Sequence, residues 1–144
     1  MSFELLTLPD GYWTDRALVI APYVDPRFMK ELVKRLKPRR LCLVVDDGVR
    51  LEDIEKFKRS CKPHVELEVR LARATALVHI KAFYFEFVRE NPRRRKRQLL
   101  FGSANATAAA FSGNRNAELI ADADLSIQND EELAGYFEQV FSAF

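Results

Sequence analysis

Apolar and polar residues alternate along this chain with two different periods, and the switches between them mark out its elements. Leu18 to Val24 is a compact apolar run closed by Asp25-Pro26, the pattern of a buried strand. From Pro26 the period changes. Phe28, Met29, Leu32, Val33 and Leu36 recur at three- and four-residue spacings and stop at Pro38, which predicts an amphipathic helix with proline in its first turn. Leu41 to Val45 is a second compact run, ended by Asp46-Asp47-Gly48. Ile54, Phe57 and Cys61 then lie on one face of a helix from about Leu51 to Cys61. Val65, Leu67, Val69 and Leu71 alternate strictly with polar residues, which predicts a strand with those four side chains inward and one wet face. Leu77 to Val88 reads as a long strand, the basic stretch after it as its turn, and Gln98 to Phe101 as the returning strand. A short helix from about Asn105 to Phe111, a strand from Ala117 to Ala123 and a helix from Glu131 to Phe141 complete the pattern.

Strands alternating with helices, followed by a late hairpin, predict an α/β domain: an α/β/α layered sandwich whose mixed central sheet is flanked by helices. At 144 residues the chain is expected to be a single domain, 1–144. The apolar face of the last helix is still running at Val140 to Phe144, so one lobe of a longer protein is the other expectation. Composition, 48% hydrophobic and 31% charged, is that of an ordinary globular protein and excludes low-complexity classes. The apolar runs are far too short to cross a bilayer, so no membrane insertion is expected. Met1 to Gly11 has no basic region followed by an apolar stretch, and two cysteines suit a reducing compartment, which together point to a cytoplasmic protein. Cys61 and His64 form one C-x-x-H pair with no second pair to complete a zinc site, so no metal or cofactor is expected.

Charge changes the picture more than composition does. The net charge is +2, yet Arg89 to Arg97 holds six cations and one anion, +5, leaving 2 − 5 = −3 for the rest. A charge run is commonly a solvated hairpin tip; a concentrated basic segment on a nearly neutral body is also how a polyanion is met.

The candidate chemistry begins in the long strand. By parity His79, Lys81, Phe83, Phe85 and Phe87 share one face, and Val78, Ile80, Ala82, Tyr84, Glu86 and Val88 the other. A lone strand histidine is commonly a satisfied core or edge residue. Lysine, however, is almost never fully buried without a partner, so the pair suggests a cleft at one end of the sheet. Downstream, Leu99-Leu100-Phe101 runs into Gly102, and Ser103 and Asn105 precede an alanine-rich helical segment. Such residues serve equally as a helix cap or as an anion site at a helix N-terminus. Glu118 shares a strand face with Asn116 and Ile120.

Taken in order, His79-x-Lys81, Gly102-Ser103-x-Asn105 and Asn116-x-Glu118 resemble the phospholipase D superfamily, in particular a single-motif nuclease-like branch. The motifs fall in the last half of the chain, and the strand and helix order before them suits one lobe of that fold. Two features depart from the pattern. Glu86 stands where the family has Asp, on the face opposite His79 and Lys81 and so in a structural position; the basic insertion lengthens the gap to Gly102.

The resemblance implies a hydrolase: a metal-independent phosphodiesterase that passes through a phosphohistidine. In it His79 attacks phosphorus, Lys81 and Asn105 neutralise the non-bridging oxygens, and Glu118 fixes the imidazole tautomer. Ser103, Gly102 and Asn116 would line the phosphate. The mechanism needs two histidines, and His64, with no x-Lys partner, is a poor second; the expectation is a homodimer with its two-fold axis through a shared site. Arg93, Arg94, Arg95, Lys96 and Arg97 favour a nucleic-acid backbone as substrate, hence a nuclease. The alternatives are a phospholipid or small phosphodiester hydrolase, or a non-catalytic nucleic-acid-binding lobe of a larger protein.

Overall fold

The computed structural model describes residues 3–46, 50–61, 64–71, 81–102, 106–107, 111, 120–124, 135 and 139. After a 3-10 turn at Phe3–Leu5 come β1 (Trp13–Ile20), α1 (Pro26–Leu36), β2 (Arg40–Val45), α2 (Leu51–Cys61), β3 (Glu66–Leu71), β4 (Ala82–Arg89), β5 (Arg94–Gly102) and β6 (Ile120–Asp124). The strands form one mixed sheet in the order β3-β2-β1-β4-β5-β6. β1, β2 and β3 are parallel, while β4, β5 and β6 each run antiparallel to the preceding neighbour in that order.

α1 shows why the early boundaries are sharp. Asp25 caps it, its Oδ1 accepting from Phe28 N at 2.7 Å, and Pro26 supplies a first helical residue that needs no amide partner. Lys37 closes it in the left-handed region, φ 46°, with its N–H donating to Val33 O at 2.9 Å. The buried stripe Phe28, Met29, Leu32 and Leu36, with Phe57 and Cys61 of α2, packs on Ala17, Val19, Leu41, Leu43, Val45, Phe83, Phe85 and Phe87 of the sheet. Phe28 and Phe83 join Phe111 in an aromatic cluster with centroids 5.0 to 5.7 Å apart, each such pair worth about 0.5–1.5 kcal/mol beyond its buried area. The opposite face is buried too, through Leu18, Ile20, Val44, Tyr84, Val88 and Leu99. The chain is thus an α/β domain with a mixed central sheet.

Several boundaries differ from the hydrophobic pattern. β1 starts at Trp13 rather than Leu18: Arg16 within it is paired, its Nη2 donating to Glu86 Oε1 at 2.9 Å, whereas fully buried Thr14 has no hydrogen-bond partner for its hydroxyl among the described residues. It ends at Ile20, and Val24 makes an isolated parallel bridge to Ala106. Val65, just before β3, and Leu67 and Val69 within it pack against the core, but Leu71, last residue of an edge strand, is 45% exposed. Only part of the basic stretch Arg89 to Arg97 is the turn. The turn is Glu90 to Arg93, with a cis Asn91-Pro92 bond, and Arg94 to Arg97 open β5, paired with Arg89 to Glu86 of β4. Long cationic side chains fit a strand end whose stems lie on the sheet while their heads stay wet.

Of the remaining expectations, positions 77–80 of the long strand and 117–119 of the last strand lie outside the described residues. The short helix is represented by Phe111, whose N–H donates to Thr107 O at 3.2 Å, and the last helix by Gly135 and Gln139, both helical and exposed.

Candidate active site

The strand order sets the position of any site. The chain builds β1, β2 and β3 outward, then returns to the other side of β1 as β4, so the order reverses between β1 and β4. In open α/β sheets the crevice outside the carboxyl ends of the strands at such a reversal is the usual ligand site. Because β4 is antiparallel to β1, its amino end lies there: Ala82 pairs with Ile20, the last residue of β1, and half-buried Lys81 comes directly before it.

Two further segments are tied to the same place. Gly102 donates its N–H to the carbonyl of Lys81 at 3.2 Å, while Phe101 pairs with Ala82. Ala106 N–H donates to Tyr23 O at 3.1 Å, and Asp25 N–H returns a bond to Ala106 O at 2.9 Å. The residues on both sides of Ser103-Ala104-Asn105 are therefore held at the carboxyl end of β1, one by Lys81 and one by the segment that caps α1. Ile120, two positions after Glu118, pairs with Gly102. Of the candidate residues, Lys81 and Gly102 are thus brought into contact. His79, Ser103, Asn105, Asn116 and Glu118 lie outside the described residues.

Other candidates are placed elsewhere. His64 is exposed in the turn before the amino end of β3, which is parallel to β1, so it stands at the opposite end of the sheet, roughly 20 Å away by strand rise alone. Arg94 opens β5 and Gly102 closes it, eight steps or about 27 Å apart, so the cations of Arg93 to Arg97 lie far from Lys81. Glu86 is 4% exposed and faces away from the α1–α2 layer. Its Oε1 accepts from Arg16 Nη2 and from Tyr84 Oη, both at 2.9 Å, and its Oε2 from Arg95 Nη1 at 3.3 Å, a network that ties β1, β4 and β5.

The sequence reading missed the rim of the site. Tyr23, Leu51, Leu71 and Phe101, 64%, 76%, 45% and 45% exposed, all stand at the carboxyl end of β1 to β3 or beside Lys81 at the end of β5. Apolar spacing read them as core or strand ends; only the fold gathers them. Burial, joined at Cys42 by the charge of Glu68, pushes the thiols of Cys42 and Cys61 up to about 11, so both are poor nucleophiles. Among the described residues no three His, Cys, Asp or Glu side chains are grouped to hold a metal.

The same arrangement of strands and helices occurs in yeast tyrosyl-DNA phosphodiesterase, a member of the phospholipase D superfamily: TM-score 0.52, 11% identity, over 85% of this chain and 27% of the yeast chain. A mutant of that enzyme gives TM-score 0.51 at 12% identity with the same coverage. Polyphosphate kinase of Porphyromonas gingivalis matches at TM-score 0.45 and 13% identity, over 74% of this chain and 18% of the other, too loosely to carry an argument. No family model and no curated protein matches the sequence. The sheet, with its reversal between β1 and β4, shares the α/β fold of that yeast enzyme. That is the fold the His79-x-Lys81 and Gly102-Ser103-x-Asn105 pattern implied, and this chain spans about a quarter of the length of the yeast enzyme.

Proposed function

We propose that this chain is a metal-independent phosphodiesterase acting on a nucleic-acid backbone, with its site completed by a second copy across a two-fold axis. The observation that carries the reading is the pair of anchors, Gly102 on Lys81 and Ala106 on Tyr23 and Asp25, at the carboxyl end of β1. A Gly-Ser-x-Asn segment with both flanks fixed beside a lysine is suited to holding an anion as charge builds on its oxygens.

In this reading an imidazole nitrogen of His79 attacks phosphorus, and the bond to the leaving oxygen breaks as a second histidine delivers a proton to it. Water then attacks the phosphohistidine, giving its proton to that second ring, and the phosphorus–nitrogen bond breaks to regenerate His79. Lys81, Asn105 and Ser103 hold the non-bridging oxygens, Gly102 and Asn116 shape the pocket, and Glu118 fixes the His79 tautomer. The second histidine belongs to another copy, because His64 stands at the other end of the sheet. The exposed rim of Tyr23, Leu51, Leu71 and Phe101 supports an apolar contact between copies there. Two buried free thiols suit a reducing, cytoplasmic setting.

The test is hydrolysis of bis-p-nitrophenyl phosphate and of plasmid DNA with and without EDTA, for wild type and His79→Ala. The wild type should be indifferent to EDTA, and the variant should lose more than about a thousandfold in rate. Activity lost in EDTA, or retained by His79→Ala, overturns the mechanism. Oligonucleotide binding by a wild type that cleaves nothing would favour the binding-lobe reading instead.

A further inference from the structure

The cations that the sequence places in one run are gathered by the fold at the end of the sheet remote from Lys81. Arg94 to Arg97 open β5, Arg89 closes β4, and Arg39 and Arg40 stand at the start of β2. Two aromatic rings lie among them. The Arg39 guanidinium is 3.7 Å from the Trp13 ring centroid, and Lys96 Nζ and Arg89 Cζ are 4.9 and 5.3 Å from that of Tyr12. Such stacking holds long side chains in place while leaving their charged edges to solvent. Arg95 is engaged by Glu86 and Arg40 by Asp15, but among the described residues no carboxylate pairs with Arg89, Arg93, Arg94 or Lys96.

The surface has a boundary. Asp122 and Asp124 of β6 join Lys96 and Arg97 around a pocket of about 270 Å³ under Thr7 and Pro9, so the positive area faces away from β6, toward Tyr12 and the β4–β5 turn. Among the described residues, exposed Asp10 and Glu90 flank Tyr12 and the β4–β5 turn in sequence, and exposed Glu66 stands opposite Arg40.

A small diester held at Lys81 cannot touch this surface. β5 has nine residues, so eight steps separate Gly102 from Arg94, about 27 Å. Duplex advances about 3.4 Å per base pair, so that distance is about eight base pairs. Register puts Lys96 opposite Phe87 and Arg94 opposite Arg89 on one face of the β4–β5 hairpin, whereas Arg40 shares the other face with Arg16 and Glu86, so the cations of one surface are those of β4 and β5.

We infer that the Tyr12, Arg89, Arg94 and Lys96 surface is a remote site for duplex backbone, engaged about eight base pairs from the scissile phosphate. It sets a minimum substrate length and takes no part in bond cleavage. The inference rests on the nuclease reading above and adds a length requirement to it.

The experiment measures kcat/KM per phosphodiester on blunt duplexes of 6, 8, 10, 12, 16 and 24 base pairs at 0.1 M salt. Wild type is compared with Arg94→Ser/Lys96→Ser, both exposed positions, with bis-p-nitrophenyl phosphate as the control. Wild type should rise steeply between about eight and twelve base pairs. The double variant should stay at the short-duplex value, a loss of up to about sixtyfold, because two contacts carry a salt exponent of about 1.8. Both proteins should turn over the small diester equally. Equal cleavage at every length, a step that survives in the double variant, or the same step on single strands would overturn the inference while leaving the hydrolase reading intact. Turnover of the small diester with no nucleic acid cleaved at any length would overturn both.

Discussion

Replacing Glu86 by Gln should cost stability and leave the chemistry untouched. The carboxylate is 4% exposed and holds three donors, Arg16 and Tyr84 on Oε1 and Arg95 on Oε2. Removing one partner of a fully buried ion pair costs about 3–5 kcal/mol, and each hydrogen bond to a charged group is worth about 1.5–3. Those figures are too large here, because the Arg16 and Arg95 side chains are 27% and 41% exposed and rehydrate when the carboxylate goes. Gln also keeps the volume and one acceptor oxygen. The expected loss is about 2 kcal/mol for Glu86→Gln and about 3 for Glu86→Ala, which adds a cavity. Glu86→Asp, carrying the residue type of the phospholipase D pattern, keeps the charge but is one methylene short of both arginines, and should lose about 1 kcal/mol. At 144 residues these correspond to drops in Tm of about 6–8, 10 and 3 °C. Thermal denaturation followed by circular dichroism reads the stability, and bis-p-nitrophenyl phosphate turnover at 25 °C reads the chemistry, which should stay within twofold of wild type. An unchanged Tm would mean the network contributes nothing. Lost turnover in a variant that melts normally would put Glu86 in the chemistry and refute the parity argument that sets it apart from Lys81.

Two further predictions can be checked quickly. Sedimentation at micromolar concentration should show a dimer that Phe101→Glu dissociates, and mixing His79→Ala with wild type should leave far less than half the activity; a strictly monomeric wild type working at full rate refutes the shared site. Cys42 and Cys61, raised from 9.0 to about 11 chiefly by burial, should react with a disulfide reagent at pH 8 about a hundredfold more slowly in the native protein than in urea. Because the fold favours the protonated thiols, their contribution to stability is complete below about pH 9 and is lost as pH rises through about 11; stability that falls as steeply in Cys42→Ala/Cys61→Ala would refute that linkage.

How legible each element was depended on where its partners lay. α1, β2 and α2 follow the hydrophobic pattern because their signals are local: Asp25-Pro26 starts α1, Lys37 in the left-handed region stops it before Pro38, and Leu41 to Val45 is a strand buried on both faces. The first half of β1 was hidden because Arg16 reads as solvent-exposed until its partner is known, and Glu86 is 70 residues away. The basic half of β5 was hidden for the same reason. Four successive cations resemble a turn, and only the register against Glu86 to Arg89 shows them as a strand end.

The site was legible in its parts and illegible in its assembly. The spacings within His79-x-Lys81 and Gly102-Ser103-x-Asn105 are local, but the contact between Lys81 and Gly102 depends on hairpin register. That register is fixed by apolar pairs well away from the site: Phe83 opposite Leu100 and Tyr84 opposite Leu99, one pair buried on each face. A slip of one residue would turn Leu100 and Lys96 to the wrong faces and move Gly102 off Lys81, so burial of the two pairs opposes it. The same register puts Arg97 opposite Glu86 and carries Arg94 to the far end of the sheet. One set of packed aromatic and aliphatic side chains thus holds Lys81 against Gly102, where the phosphate site is proposed, and sets the distance from there to the cations at the other end.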